Sequence, residues 1–130
     1  MTGSSLGEVM RRSKVVASAE MYRGFAISVV GESFEDIRVV CSQAADEMLN
    51  ITGVDASVTV YPIDNGWSFS ARSLGKVNVQ VLMENIGNKK DDGGGHLTMA
   101  GAQLYNIDKE EAVQKLYDAI DKYYNNLPQD

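Results

Sequence analysis

Residues 57–72 constrain this chain most. Ser57 to Ile63 is rich in β-branched residues, Asp64-Asn65-Gly66 is a turn sequence, and Trp67 to Arg72 alternates large apolar with polar side chains. Two such runs joined by an Asn-Gly turn form a β-hairpin. Strand periodicity then puts Trp67, Phe69 and Ala71 on one face and Ser68, Ser70 and Arg72 on the other. A hairpin cannot bury a face alone, so the flanking segments must supply cover. Ile37, Val40, Cys41, Ala44 and Met48 recur at helical spacing, after a cap predicted at Ser33 with Asp36, in a helix running to about Ile51. Asp108 with Glu111 caps a final helix whose Val113, Leu116, Ile120 and Tyr124 form a core-facing stripe. Phe25, Ile27 and Val29 alternate as a strand between Gly24 and Gly31.

The rest is less regular. Leu6 to about Tyr22 reads as a helix, and the small polar residues 1–5 are left out of the fold as a disordered start. Lys76 to Ile86 fits strand and helix; Met83-Glu84-Asn85 is poor strand material, which favours the helix. Leu97 to Ala100 is expected to form a short helical turn, followed by a brief strand over Ala102 to Tyr105. The expectation is an α/β domain over residues 6–130, a small mixed β-sheet flanked by helices.

With 130 residues there is room for one domain and a real core. A net charge of −6 argues against gripping long nucleic acid through the overall field, but a local pocket for a small anion needs only a few amides and a cation. No apolar run reaches the roughly 18 residues of a membrane span, so no membrane contact is expected. The single cysteine, Cys41, suits a reducing, cytoplasmic setting. With one His and one Cys, neither a zinc site nor a Cys/His nucleophile pair can be assembled.

The feature most suggestive of binding is Gly93-Gly94-Gly95-His96. A backbone without Cβ atoms can bring several N–H groups close to a phosphate or carboxylate, the expected helix start would add partial positive charge, and His96 adds a donor. The same residues read equally as a plain flexible connection with His96 on the surface. Arg72, beside Ser68 and Ser70, tips the balance toward an anion, because a guanidinium next to hydroxyls makes a good phosphate fork. Lys89 and Lys90 are cancelled by Asp91 and Asp92, and that run reads as a solvated loop. Such a chain can bind an anion but has no means to cut one.

Ser70-Ala71-Arg72-Ser73, Val77-Asn78-Val79 opening a helix, Gly93-Gly94-Gly95-His96-Leu97-Thr98-Met99-Ala100-Gly101 and a final helix starting Asp108-Lys109-Glu110-Glu111-Ala112 together resemble the DHHA1 domain, second lobe of the DHH phosphoesterase superfamily. The likeness spans roughly Leu6 to Tyr124 and is strongest to the C-terminal part of membrane-bound cyclic di-AMP phosphodiesterases.

The resemblance implies a substrate-binding lobe of a two-metal phosphodiesterase acting on cyclic di-AMP or short oligonucleotides. Ser70, Arg72, Asn78, Gly93, Gly94, Gly95 and His96 would hold the phosphate or nucleotide. It implies no cofactor in this chain, with divalent metal, usually manganese, on a DHH catalytic lobe of the same polypeptide. This part alone would be inactive, and the resemblance allows a membrane-anchored parent protein. In this family pattern the glycines follow the helix directly; here Asn88 to Asp92 intervene, and Met99 stands where alanine is common. Related DHHA1-type domains of exonucleases and a tRNA synthetase imply the alternative of a single-stranded nucleic-acid-binding module. A homodimer through the tyrosines of the last helix is a third reading.

Overall fold

The computed structural model describes residues 3–87 and 93–127, with only the backbone for residues 93–96. The elements are α1 (Leu6–Ala17), β1 (Glu20–Tyr22), β2 (Phe25–Val29), α2 (Ile37–Met48), β3 (Ala56–Ile63), β4 (Gly66–Ser73), α3 (Val79–Ile86), β5 (Gly93–His96), β6 (Met99–Tyr105) and α4 (Lys109–Asn125). Six strands form one sheet in the order β1-β2-β3-β4-β6-β5. Only β2 and β3 are parallel, joined through α2; every other neighbouring pair is antiparallel. This is the small mixed α/β sheet that the sequence predicts.

The two faces of the sheet are built from different chemistry. On one, Phe25, Ile27, Val58, Val60, Phe69 and Ala71 meet Val79, Leu82, Met83 and Ile86 of α3 and Leu116, Ala119 and Ile120 of α4 in the main core. On the other, α1 and α2 pack over smaller apolar groups, Val15 with Val40 and Ala44, and Ala26 with Met48 and Val54. Buried hydroxyls lie between those groups. Ser57 Oγ donates to the Ala45 carbonyl at 2.5 Å, Thr59 Oγ1 to the Cys41 carbonyl at 3.1 Å, and Ser28 Oγ to the Val15 carbonyl at 2.7 Å. A carbonyl already accepting one helical bond has a second lone pair, so these hydroxyls are satisfied without breaking the helices.

Four expectations change. The first helix ends at Ala17 rather than Tyr22, and Glu20–Tyr22 pairs with β2 instead. Arg23 and Gly24, with φ of 50° and 86°, make the tight two-residue reversal. Ser5, set aside with the disordered start, caps α1, its Oγ accepting from Glu8 N–H at 3.1 Å. The predicted Ser33 cap of α2 is replaced by Asp36, which adopts a left-handed conformation and makes no side-chain cap bond; the helix ends at Met48. The predicted turn of helix over Leu97 to Ala100 does not form. Those four residues have no cap to nucleate a helix, while Met99 and Ala100 find ladder partners in Arg72 and Ala71, so β6 begins at Met99. The triple glycine is consequently an edge strand of a β5–β6 hairpin, and no helix start lends it charge. Lys89 to Asp92, read as a solvated loop, lie outside the described residues, as do Met1 and Thr2 of the disordered start.

The hairpin around Asn65, the Asp108 cap and the α3 helix stand as predicted, the last beginning at Val79 rather than Lys76. Three tyrosines of α4 are engaged within the fold. Tyr123 Oη accepts from Asn78 N–H at 2.9 Å, Tyr124 Oη donates to the Arg23 carbonyl at 2.9 Å, and Tyr117 meets the edge of Tyr22 with ring centroids 4.8 Å apart. No helix among the described residues is long and apolar enough to cross a membrane.

Candidate functional site

Helix α2 covers β3 and β4 but stops short of β6, so on this side the sheet emerges from under the helix as an open floor. The step between helix and floor is a cavity of about 260 Å³, lined by Arg38 and Ser42 of α2, Ser70 and Arg72 of β4, and Met99, Gly101 and Gln103 of β6. A second cavity of about 470 Å³ continues it past Arg38, Tyr61, Ser68 and Gln103 to Asp64 and Tyr105. Together they form one groove.

The wall and the floor each follow from a simple periodicity. Arg38, Ser42 and Asp46 recur every fourth residue and so share one stripe of α2. Ser68, Ser70 and Arg72 are the alternate residues of β4 that face away from the main core. Register extends those rows across the strands: Ser70 pairs with Gly101 and Gly101 with Gly94, while Arg72 pairs with Met99 and Met99 with His96. Neighbouring strands lie about 4.8 Å apart, so the backbone of position 96 is about 10 Å from that of Arg72. With glycine at 101 and 94, the Ser70 row ends in bare backbone. A Cβ added at Gly101 would come within 3.1 Å of the Phe69 carbonyl oxygen, closer than side chains tolerate without a shift.

Arg72 is the most constrained group in the groove. It is 9% exposed. Its Nε donates to Asp46 Oδ1 at 3.0 Å and its Nη1 to the Ala71 carbonyl at 2.9 Å. Asp46 is itself largely exposed, so water screens this ion pair and its net worth to stability is small. Its effect is on orientation, because two edges of the guanidinium are fixed and Nη2 has no hydrogen-bond partner among the described residues. Ser70 Oγ, on the neighbouring row, likewise has none there. A held cation beside a free hydroxyl can accept one oxyanion without first reorganising.

The predicted residues therefore divide. Ser70 and Arg72 line the groove, and register brings the backbone of Gly94 and His96 into their two rows; Gly93 and Gly95 fall in the alternate rows, with Phe69 and Ala71. Asn78 lies in the opposite layer. Its Oδ1 accepts from the Gln80 and Val81 N–H groups as the cap of α3, which occupies that side chain structurally. Sequence reasoning missed Arg38, Ser42 and Asp46. Their signal was present, since the helical spacing that selects Val40, Cys41, Ala44 and Met48 leaves a complementary polar stripe one step away.

Two other chemistries find no place here. Among the described residues no three His, Cys, Asp or Glu side chains cluster as metal ligands do. Cys41 is buried, and desolvation pushes its thiol up to about 12, so it is no thiolate ligand or nucleophile at neutral pH. The described residues assemble no donor set for a catalytic metal, and no hydrolytic step is assigned to them. A larger cavity, about 690 Å³ between Tyr22, Val29 and α4, suits an anion poorly. Its Asp121 accepts from Tyr22 Oη at 2.7 Å and from Arg23 Nη1 at 2.8 Å, bonds that hold the carboxyl below its usual range and keep it negative.

The sequence matches the DHHA1 domain family over residues 24–126. It is 45% identical over 117 residues to the cyclic-di-AMP phosphodiesterase PdeA of Listeria monocytogenes, covering 88% of this chain and 17% of that protein. It is 40% identical over 119 residues to the cyclic-di-AMP phosphodiesterase GdpP of Bacillus subtilis, covering 88% of this chain and 17% of the relative. The chain thus spans under a fifth of either length. Among solved structures, an exopolyphosphatase-related protein from Bacteroides fragilis shares the fold with a TM-score of 0.81 at 24% identity, over 95% of this chain and 36% of that one. On the family match and these identities, the chain belongs to the DHHA1 domain family, in the branch related to cyclic di-AMP phosphodiesterases.

Proposed function

We propose that this domain is a substrate-binding lobe, one that holds the phosphate and nucleotide of cyclic di-AMP or a short oligonucleotide while a separate lobe performs hydrolysis. The observation that carries this reading is Arg72, pinned on two edges, whose Nη2 has no partner among the described residues, beside the Ser70 hydroxyl, which likewise has none there, at the mouth of a groove. A surface prearranged for an oxyanion, in a chain lacking metal-ligand clusters among its described residues, suits positioning rather than bond breaking. The names of the relatives supply the ligand class. Divalent metal, manganese by the family resemblance, would sit on the hydrolytic lobe. A single cysteine is compatible with a reducing cytosol.

Calorimetric titration of the chain with cyclic di-AMP and with its linear product tests the proposal. Arg72→Ala and His96→Ala should each weaken binding, Arg72→Ala by roughly tenfold or more given the worth of a charged hydrogen bond. Variants that bind as the parent does would refute the site. Tighter, strongly salt-dependent binding of single-stranded DNA without preference for a dinucleotide would favour the nucleic-acid reading instead.

A further inference from the structure

The groove contains a second cation that none of the family motifs touches. Arg38, in the first turn of α2, lines both cavities and stands at their junction, on the helix stripe that Arg38, Ser42 and Asp46 share. Eight residues of helix separate Arg38 from Asp46, about 12 Å at 1.5 Å per residue. Arg38 is exposed and has no hydrogen bond or ion pair among the described residues; Asp36 before the helix and Asp64 in the second cavity are nearby carboxylates that it does not pair with. The contrast with Arg72 is plain. One guanidinium has two of its edges satisfied internally, and the other has all its donors to offer.

Size points the same way. A cavity of about 260 Å³ falls below the roughly 300 Å³ at which ligand pockets begin, so a dinucleotide held at the Arg72 end would extend into the 470 Å³ space beyond Arg38. There Tyr105, 59% exposed, offers an aromatic face of the kind on which nucleobases stack.

We infer that Arg38 is a second anion-holding residue, and that the groove selects ligands carrying two phosphates, a dinucleotide over a mononucleotide. This rests on the groove being the nucleotide site proposed above. One phosphate meets Arg72 and Ser70, and the other meets Arg38.

The test is a calorimetric comparison of AMP with cyclic di-AMP on the parent chain, Arg38→Ala, Arg38→Lys and Arg72→Ala, with circular dichroism confirming that each is folded. The parent should prefer cyclic di-AMP. Arg38→Ala should weaken cyclic di-AMP roughly tenfold, leave AMP within about twofold, and lower the salt slope of dinucleotide binding by about one charge. Arg38→Lys should keep the salt slope and recover part of the affinity, whereas Arg72→Ala should weaken both ligands. If the parent binds cyclic di-AMP and Arg38→Ala binds it equally well, the second anchor is refuted and the groove reading stands. If the parent binds neither nucleotide, both fall.

Discussion

The two faces of this sheet bury the same strands by opposite means. Under α3 and α4 the contact is mainly apolar, from Phe25 across to Ala102, with the hydroxyls of Ser73 and Tyr123 at its margin. Under α1 and α2 it is mixed, with Ser28, Ser57 and Thr59 donating to helix carbonyls, and it ends halfway, leaving Ser70, Arg72 and the β6 row at a groove. The lesson is a division of labour. The apolar face can be sealed because burying it is favourable without conditions, at roughly 25 cal/mol per Å². A polar face costs free energy wherever a donor lacks a partner, so it is covered only where helix carbonyls can reach and left to solvent or ligand elsewhere.

Removing contacts on each face should expose the difference. The largest effect is expected on the sealed side, where Leu82→Ala leaves a cavity among α3, α4 and the sheet. It should cost about 2–5 kcal/mol in denaturant unfolding while any folded fraction keeps its ligand affinity. Thr59→Val, under α2, removes a hydroxyl and its bond to the Cys41 carbonyl but keeps the volume, and should cost only about 1 kcal/mol. Asp46→Asn should change stability less still, because its carboxylate is exposed, yet weaken nucleotide binding by freeing Arg72 to reorient. Cys41, sealed between these layers, should resist alkylation at pH 8 in the native state and react at once on unfolding.

Away from both faces, Asp121 titrates below its usual range because Tyr22 and then Arg23 hydrogen-bond its charged form. A carboxyl depressed on folding adds stability at pH above its unfolded value of 3.8 and loses it as pH falls through the native value. Asp121→Asn should therefore be slightly less stable than the parent at neutral pH and converge with it at low pH, which flattens part of the acid limb of the stability curve.

What could be read from the sequence follows the same contrast. The hairpin at Asn65, the α2 stripe and the α4 stripe were legible because burial there obeys simple periods, two for strands and 3.6 for helices. β1 was not, since three residues carry little periodicity and the Arg23-Gly24 reversal is visible only as a possible turn. The glycine strand was misread for a related reason: glycines show no alternation, and their pairing with β6 is a long-range choice. At the site, Arg72 and Ser70 could be found from strand alternation. Asp46 and Arg38 showed only as members of a polar helix stripe, because their relevance depends on how α2 lies across β4, and Asn78 misled because a helix cap and a ligand contact favour the same residue type.

The central claim is that nucleotide occupies the open half of the polar face. Backbone amide NMR of the chain during titration with cyclic di-AMP tests it most directly. Shifts should concentrate at residues 38–46, 68–72 and 99–103, with Tyr22, Gln114 and Tyr117 unmoved. Shifts centred on those three residues and the 690 Å³ cavity beside α4, with the groove silent, would contradict the account.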